Sequence, residues 1–169
     1  DLIVTGVQTC ALPISGIAFS RDEAKLTLQK VQDRPGVAAH ILGPIADANI
    51  DVDIIIQNVG TDGTTDFTFT VHRNDYQKAL KLLHDQATEL GIGEILGDDS
   101  IVKISLVGVG MRSHAGIAST MFKALANEGI NILMISTSEI KISVVVEEKY
   151  LELGVRALHA AFGLEEKAK

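Results

Sequence analysis

Apolar residues recur along the chain with the periods of short strands and helices. Residues 24–31 alternate between apolar and polar positions, as in a strand that buries one face. Residues 37–48 follow with the period of a helix. The apolar positions of this helix are Val37, Ile41 and Ile45. Asp33 lies at the expected capping position and Pro35 at the helix start, so this part of the chain predicts a strand followed by a capped helix.

The residues after this helix predict two further strands, a second helix and a short final strand. Apolar residues alternate along the second of these strands, and Gly91 ends the second helix. The predicted elements are a strand at 51–58, a turn at 61–64, a strand carrying Phe67, Phe69 and Val71, a helix at 75–90 and a strand at 94–96. Together they give the order β-α-β-β-α-β.

The same pattern occurs twice in the chain. Residues 35–58 align with residues 115–138 at an offset of 80 without gaps. Residues 66–71 then align with residues 139–144 at an offset of 73, which predicts that the second copy has lost seven residues from one loop. Two copies are too few for a solenoid, so the repeat predicts a tandem pair of small domains.

The second copy predicts the same elements except for the last strand. Residues 16–19, at the other end of the chain, are the candidate to supply that strand. Its elements are a strand at 102–107, a helix from Ser113 or His114 carrying Ile117, Met121 and Leu125, strands at 130–136 and 140–147, and a helix at 149–162. Units of this order form an antiparallel sheet with both helices on one face. We therefore predict an α+β fold of two ferredoxin-like domains, at 16–97 and 98–169, with Asp98 and Asp99 in the linker.

Pro44 conflicts with the first predicted helix. A proline inside a helix removes the hydrogen bond to the residue four positions earlier and costs roughly 3 kcal/mol. We therefore expect a kink at Pro44 or an early end of the helix.

The first residues differ in character from the rest. Residues 4–14, VTGVQTCALPI, resemble the translation of a common sequencing adapter. We therefore expect residues 1–15 to be a non-native extension; the alternative is a disordered extension that belongs to the protein. Cys10, the one cysteine in the sequence, is accordingly left out of every site.

Composition narrows the class of protein. The 169 residues are 46% hydrophobic and carry a formal charge of −7, which excludes a disordered chain and argues against nucleic-acid or anionic-membrane partners. Apolar stretches such as residues 52–56, which Asp53 interrupts, are far too short to span a membrane. A single cysteine excludes an intrachain disulfide, so we expect a cytoplasmic protein.

Motifs of enzymes and metal sites are missing from the sequence. It has no phosphate-binding loop and no nucleophile elbow, and Gly108 and Gly110 are not followed by a third glycine at the spacing that dinucleotide binding requires. The five histidines are scattered, and His84 and His159 are expected at exposed or half-buried helix positions. We therefore expect no catalytic residue, no metal and no cofactor.

The remaining candidate for chemistry is the turn between the first strand and helix of each copy. It comprises residues 33–38 in the first copy and 111–118 in the second. A helix N-terminus offers free amide donors that suit a carboxylate, and Asp33 beside it suits an ammonium group. A free α-amino acid carries both groups. The alternative is that the turn only caps its helix, with Asp33 as an ordinary capping residue.

Four segments are distinctive: QDRPGVAAHILGPIADANIDVDIIIQN, DGTTDFTFTV, SLVGVGMRSHAGIAS and INILMISTSEIKISVVV. They resemble the regulatory region of bacterial aspartate kinase, which contains tandem ACT domains and in some bacteria is also made separately as a small β subunit. The resemblance covers about residues 16–164 and implies the ferredoxin-like fold. It also implies feedback inhibition of the lysine–threonine–methionine pathway by lysine, threonine or both.

The resemblance further implies a set of effector-binding residues. In the first copy these are Asp33, Arg34, Pro35, Gly36, Val37 and Ala38 of the turn, and Asp51, Val52, Asp53 and Gln57 of the second strand. In the second copy they are Ile117, Ala118, Asn131, Ile132, Ser138 and Glu139. In such proteins the first unit of one chain packs on the second unit of another, and effectors bind at that junction.

The chemistry of these residues fits amino-acid effectors. Main-chain amides at the start of the helix suit the α-carboxylate, and Asp33 suits the α-ammonium group. Gln57 and Asn131 suit the hydroxyl of threonine, whereas Asp53 or Glu139 suits the ε-ammonium group of lysine. The alternative for the acidic residues is ordinary surface charge.

The sequence departs from the family in that no kinase motif precedes residue 16. We therefore expect a module that regulates aspartate kinase but does not phosphorylate aspartate alone, either as a β subunit or as a fragment of a longer enzyme. Its expected partners are L-threonine, L-lysine or both, a second copy bound through the ACT units, and the catalytic α subunit. The alternative function is an ACT-type dimerisation module that binds no amino acid.

Overall fold

The computed structural model describes residues 14, 16–108 and 114–164, which form two compact units. The first unit is Ser20–Val102, and the second contains residues 16–19 and the described residues from Lys103 onwards. Cys10 and the rest of the expected non-native extension, apart from Ile14, lie outside the described residues. The domain limits predicted at 16–97 and 98–169 stay a prediction.

Strands and helices alternate in the order that the repeat predicts. The strands are β1 (Gly16–Gln32), β2 (Val52–Val59), β3 (Thr64–Val71), β4 (Glu94–Val107), β5 (Met134–Thr137) and β6 (Lys141–Glu147). The α-helices are α1 (Val37–Asp47), α2 (Tyr76–Leu90), α3 (His114–Asn127) and α4 (Leu151–Ala161). A short 3₁₀ helix precedes α2 at Arg73–Asp75, and another precedes α4 at Glu148–Tyr150.

The first unit buries one face of its sheet under α1 and α2. Its strands lie in the order β2-β3-β1-β4, and β3 is antiparallel to both of its neighbours. Leu26 pairs with Phe69 and Leu28 with Phe67, and all four are buried among the apolar residues of the two helices. The rings of Phe67 and Phe69 meet edge-on, with their centroids 6.1 Å apart. The period-two pattern of the strands thus supplies one wall of this core.

The second unit is built in the same way. Its β6 lies between β4 and β5, and β5 and β6 are antiparallel. Its core contains Ile104, Leu106, Met121, Leu125, Val144 and Leu158, which are all fully buried. The predicted fold is confirmed: the chain has an α+β architecture of two ferredoxin-like units with antiparallel strands and four helices.

The strand register corrects the predicted alignment of the two hairpins. Ile55 pairs with Phe69, and Ile135 pairs with Val144, so β2 and β5 are 80 residues apart whereas β3 and β6 are 75 apart. The predicted offset of 73 is therefore wrong, and the second hairpin is shorter by five residues rather than seven. A shift of two residues leaves every side chain on the same face, so alternation alone could not reveal it.

The long strands differ from their predicted limits. β1 begins at Gly16 rather than at residue 24, and β4 runs without a break from Glu94 to Val107. Asp98 and Asp99 therefore lie within a strand, and the predicted linker is wrong. β5 begins at Met134, four residues after its predicted start. Pairing with neighbouring strands sets these limits more strongly than local composition does.

The start of α1 also differs from the prediction. Gly36 occupies the capping position with a φ of 88°, and no side chain caps the helix. Asp33 as the helix cap is therefore wrong. The left-handed conformation at this position suits glycine because a β-carbon would be strained there.

α1 continues through Pro44 to Asp47, so the predicted early end of the helix is wrong. The Ala48 N–H donates to the Pro44 carbonyl at 3.1 Å, which keeps the last turn closed. Pro44 has no N–H to donate to the carbonyl of His40, but His40 is exposed. A kink at Pro44 stays a prediction.

Candidate effector site

Main-chain hydrogen bonds fix the turn between β1 and α1. The Asp33 N–H donates to the Gly63 carbonyl of the β2–β3 hairpin at 3.0 Å, and the Val37 N–H donates to the Arg34 carbonyl at 3.2 Å. Gly36 completes the turn with its positive φ. The first amides of a helix have no partner within it, and the helix dipole is positive there. The turn is therefore suited to hold a carboxylate.

The predicted effector residues of the first unit lie at two opposite ends of its sheet. Gln57 lies near the end where Val59 pairs with Thr65, which is also where β1 leads into the turn. Asp51 and Asp53 lie at the start of β2, at the opposite end. Asp53 and Asp51 lie four and six residues before Gln57, which is about 13 and 20 Å along an extended strand. Both distances exceed the length of a free amino acid, so one effector does not contact both ends within a unit.

The second unit repeats this division. The predicted residues are Ile117, Ala118, Ser138 and Glu139 at one end and Asn131 and Ile132 at the other. The Gly108 N–H, directly after β4, donates to the Ile140 carbonyl at 2.8 Å and so holds the β5–β6 connection beside the end of β4. Residues 111–113 of the predicted turn lie outside the described residues.

The structure therefore brings the predicted residues together in four groups, two in each unit, which we call turn clusters and strand-start clusters. The turn cluster of the first unit contains Asp33, Arg34, Pro35, Gly36, Val37, Ala38 and Gln57, and its strand-start cluster contains Asp51, Val52 and Asp53. The turn cluster of the second unit contains Ile117, Ala118, Ser138 and Glu139, and its strand-start cluster contains Asn131 and Ile132.

Burial separates side-chain from main-chain roles in these clusters. The polar members are exposed, whereas Val37 and Ile117 are buried in the cores of their units. These two residues can therefore contribute to a site only through their main chain. The strand-start clusters also differ in charge, because Asp51 of the first unit corresponds to Asn131 of the second. Equivalent positions of the repeat thus present different chemistry.

Two polar contacts beside α1 were not predicted from the sequence. The His40 Nδ1–H donates to the Gly36 carbonyl at 2.9 Å, which places the imidazole ring against the turn. The Lys78 ammonium group donates to the Ala48 carbonyl at 2.8 Å, where α1 ends. The periodicity of a helix or strand predicts only contacts within one element, so it does not predict the contact of Lys78 with a residue 30 positions earlier. The contact of His40 with the residue four positions before it follows helical spacing and could have been anticipated.

Each helix that follows a turn also exposes part of an apolar face. A shallow groove of about 560 Å³ on α3 is lined by Ala115, Ala118, Ser119, Phe122, Lys123 and Ala126. A cleft of about 480 Å³ near the end of α1 is lined by Leu42, Ala46, Asn49, Ile50, Asp51 and Val52. Leu42 and Ala46 correspond to Phe122 and Ala126 in the repeat. Both units therefore present the same helix face.

In the described ranges, no three His, Cys, Asp or Glu side chains lie close enough together to hold a metal ion. None of the helices in these ranges is long and apolar enough to cross a membrane. His84 is exposed and His159 is half-buried, which confirms the positions predicted for them.

Comparison with known proteins identifies the two units. One family model described as an ACT domain matches residues 26–88, and a second model with the same description matches residues 104–162. Together these matches include most of both turn clusters and both strand-start clusters.

A curated relative, aspartate kinase from Pseudomonas putida, is 67% identical over 156 residues, which cover 92% of this chain and 38% of the relative. The chain thus spans well under half the length of such relatives. The crystal structure of aspartokinase α and β subunits contains a chain that is 55% identical, with a TM-score of 0.84; the match covers 89% of this chain and 99% of that one. The ligand-free regulatory subunit of aspartate kinase from Thermus thermophilus is 39% identical, with a TM-score of 0.83 and the same coverages. The chain therefore belongs to the aspartate kinase family, as a regulatory part built from two ACT domains.

Proposed function

We propose that this chain is the amino-acid-sensing module of an aspartate kinase. The observation that carries the proposal is the match over 99% of a solved regulatory subunit of that enzyme. The module is not catalytic by itself. It works in the cytoplasm, binds L-threonine, L-lysine or both, and passes the bound state to a catalytic α subunit or catalytic domain. The relative whose structure contains α and β subunits together supports such a partnership.

A second copy of the chain completes the sites. β2 is an edge strand of the first unit and β5 is an edge strand of the second. When β2 of one protomer lies antiparallel beside β5 of its partner, strand ends of opposite direction become neighbours. Each turn cluster then lies beside a strand-start cluster of the partner. Clusters that are too far apart within one unit to bind one effector are thus brought together across the interface. Each junction between protomers holds two sites.

The first of these sites is suited to threonine. It combines the turn cluster of the first unit with the strand-start cluster of the partner's second unit. Main-chain amides at the start of α1 hold the α-carboxylate, and Asp33 holds the α-ammonium group. The amide side chains of Gln57 and Asn131 can each donate to and accept from a hydroxyl group, which makes them suitable partners for the threonine side chain.

The second site is suited to lysine. It combines the turn cluster of the second unit, which includes Glu139, with the strand-start cluster that contains Asp51 and Asp53. Three carboxylates from two protomers meet there, and a primary ammonium group has three donors to satisfy them. The lysine ε-ammonium group also relieves the repulsion among these carboxylates, since it replaces a like-charge contact by an attractive one.

The effectors act by favouring one packing of the two protomers over another. Each site is complete only when both protomers contribute, so binding stabilises the dimer arrangement that closes it. The shift in that equilibrium equals the difference in effector affinity between the two arrangements. Inhibition of the catalytic part follows from the arrangement that the effectors favour.

Titration calorimetry with threonine and with lysine tests the proposal. Replacement Asn131→Ala should weaken threonine binding about tenfold and leave lysine binding unchanged, because it removes hydrogen bonds to a hydroxyl group. Replacement Glu139→Ala should weaken lysine binding by at least about tenfold and leave threonine binding unchanged. Glu89→Ala, an exposed change on α2, is the matched control and should alter neither affinity.

The result that overturns the sensing function is the absence of binding by either amino acid at millimolar concentration, with and without a catalytic subunit. Equal losses for Asn131→Ala, Glu139→Ala and Glu89→Ala would instead overturn the assignment of the sites.

A second candidate function is an ACT-type dimerisation module without an effector. The exposed apolar faces of α1 and α3 and the exposed isoleucines of the edge strands favour it, because such surfaces suit a partner protein. This function predicts a stable dimer whose melting temperature no amino acid raises. An effector, in contrast, would raise the melting temperature in proportion to its affinity.

A further inference from the structure

The β2–β3 hairpin of the first unit is closed by a main-chain hydrogen bond, from the Gly60 N–H to the Thr64 carbonyl at 2.7 Å, and by a carboxylate. Asp62 Oδ1 accepts two hydrogen bonds from Thr64, one from its hydroxyl group at 2.6 Å and one from its main-chain N–H at 3.1 Å. Gly60 packs against both residues: a β-carbon there would lie 2.8 Å from Asp62 Oδ1 and 2.9 Å from the Thr64 carbonyl oxygen. The hairpin therefore has one tightly determined shape.

The electrostatics of Asp62 agree with this geometry. The hydrogen bonds from the hydroxyl group and the main chain of Thr64 hold the pKa of Asp62 below its ordinary value, although the residue is exposed. The carboxylate is therefore the form that closes the hairpin, and it does so through its acceptor oxygen.

This hairpin reaches the effector-binding turn through one main-chain bond. Gly63, between Asp62 and Thr64, has a φ of 77°, and its carbonyl accepts the hydrogen bond from the Asp33 N–H at 3.0 Å. Asp33 is the first residue of the turn cluster and the first residue after β1. The direction of the Gly63 carbonyl thus determines where the turn begins.

The repeat shows that this bond is independent of hairpin length. In the second unit the residue directly after β4, Gly108, donates in the same way to a hairpin carbonyl, that of Ile140 at 2.8 Å. The second hairpin is five residues shorter, and the Ser138 N–H donates to the Lys141 carbonyl at 2.8 Å across it, as the Gly60 N–H donates to the Thr64 carbonyl in the first. Two hairpins of different length thus make the same bond, in each unit to the residue directly after the strand that leads into the turn.

We propose that Asp62 is a positioning residue of the effector site: by closing the β2–β3 hairpin, it directs the Gly63 carbonyl at Asp33 and holds the turn in its binding conformation. The inference rests on the proposed function, because it concerns the turn that receives the α-carboxylate of the effector. Asp62 itself does not contact the effector.

The test compares Asp62→Ala with Asp62→Asn. Alanine removes the acceptor, so threonine affinity should fall about three- to tenfold, as expected for the loss of one or two hydrogen bonds that position a site. Asparagine keeps the acceptor oxygen, so Asp62→Asn should bind within twofold of the unchanged protein. Asp85→Ala, which removes an exposed carboxylate from α2, is the matched control and should bind normally.

Hydrogen exchange of the Asp33 amide gives a readout that does not depend on any ligand. It should speed up about tenfold in Asp62→Ala and recover in Asp62→Asn. Thr64→Val, which removes only the hydroxyl donor, provides a milder variant if Asp62→Ala does not fold, and it should weaken binding and protection to a smaller extent.

The outcomes separate the two proposals. If the unchanged chain binds no amino acid, the proposed function fails and this inference fails with it. If the unchanged chain binds threonine, but Asp62→Ala loses Asp33 protection without losing affinity, only the positioning role is overturned. If Asp62→Asn is as weak as Asp62→Ala, the charge rather than the acceptor matters, and the positioning role is again overturned.

Discussion

Gly97 of β4 leaves room for the ring of Tyr76 at the start of α2. A β-carbon at Gly97 would collide with the Tyr76 hydroxyl oxygen and lie 2.9 Å from two ring carbons. Replacement Gly97→Ala should therefore lower the free energy of unfolding by about 1–3 kcal/mol, the usual cost of overpacking. Urea denaturation measures this change.

Gly43→Ala on α1 is the matched control, because nothing lies within 4 Å of its added β-carbon. It should stabilise the protein by about 0.5–1 kcal/mol through helix propensity. Equal effects of the two replacements would contradict the contact between Gly97 and Tyr76.

Burial, followed by the charges of Asp99 and Asp98, also raises the pKa of Tyr76. Its neutral form therefore stabilises the fold below pH 10, and this contribution is lost as the pH rises above that value.

At the scale of single residues, the sequence predicts burial better than conformation. Val37, Ile41 and Ile45 are buried as their helical spacing predicts. Asp33 fails as the helix cap because the backbone turns into the left-handed region at Gly36, three residues later. A capping residue is recognised by its own side chain, whereas the turn before α1 also includes a main-chain hydrogen bond from Asp33 to a distant hairpin, which no local pattern predicts.

Pro44 makes α1 a helix that lacks one of its own hydrogen bonds. The proline occupies an interior position, and the helix continues for three residues beyond it. Replacement Pro44→Ala restores the N–H that pairs with the His40 carbonyl. The free energy of unfolding should rise by about 1–3 kcal/mol. This range is the gain from the restored hydrogen bond after subtraction of the loss that arises because alanine has more conformational freedom than proline in the unfolded chain.

Pro35→Ala is the control for Pro44→Ala, because Pro35 lies before the helix and has no helix bond to restore. It should destabilise the protein by about 0.4–1 kcal/mol, since it only increases the freedom of the unfolded chain. Thermal and urea unfolding of both variants would show opposite signs. A loss of stability in Pro44→Ala would mean that contacts of the proline ring outweigh the missing bond.

At the scale of elements, the helices and the strands β2, β3 and β6 follow their local patterns, whereas β1, β4 and β5 do not. The prediction for α2 agrees with the structure within one residue, and β3 contains the three alternating residues predicted for it, because both have clear periods and α2 ends before Gly91. β4 contains Gly97, Asp98 and Asp99, which are turn formers by composition. Hydrogen bonds between β4 and its neighbours in the sheet outweigh this preference for a turn. These bonds join residues that are far apart in the sequence, so no local pattern predicts them.

At the scale of the whole molecule, the repeat predicts the fold and the number of units, but not the places of the site residues. Both units carry the elements that the alignment predicts. The resemblance to a family names the effector residues as one set, and only strand direction divides them between two ends of each sheet. A one-dimensional alignment contains no information on which of its residues lie about 13–20 Å apart along a strand.

Strand direction also leads to a prediction about assembly. Ile55 of β2 and Ile135 of β5 are equivalent in the repeat, lie on edge strands, and are 50% and 44% exposed. Lysine at an edge position opposes strand pairing between chains, so Ile55→Lys combined with Ile135→Lys should convert the proposed dimer into a monomer while each unit stays folded. Leu96→Lys on β4, an interior strand whose residue 96 is also 44% exposed, makes the same chemical change and should leave the dimer intact. Sedimentation velocity measures the mass, and calorimetry on the monomer should show that both effectors are lost together, because each proposed site takes residues from two protomers. A monomer that binds threonine or lysine with full affinity would contradict sites shared between protomers and would require each effector to be held by a single cluster.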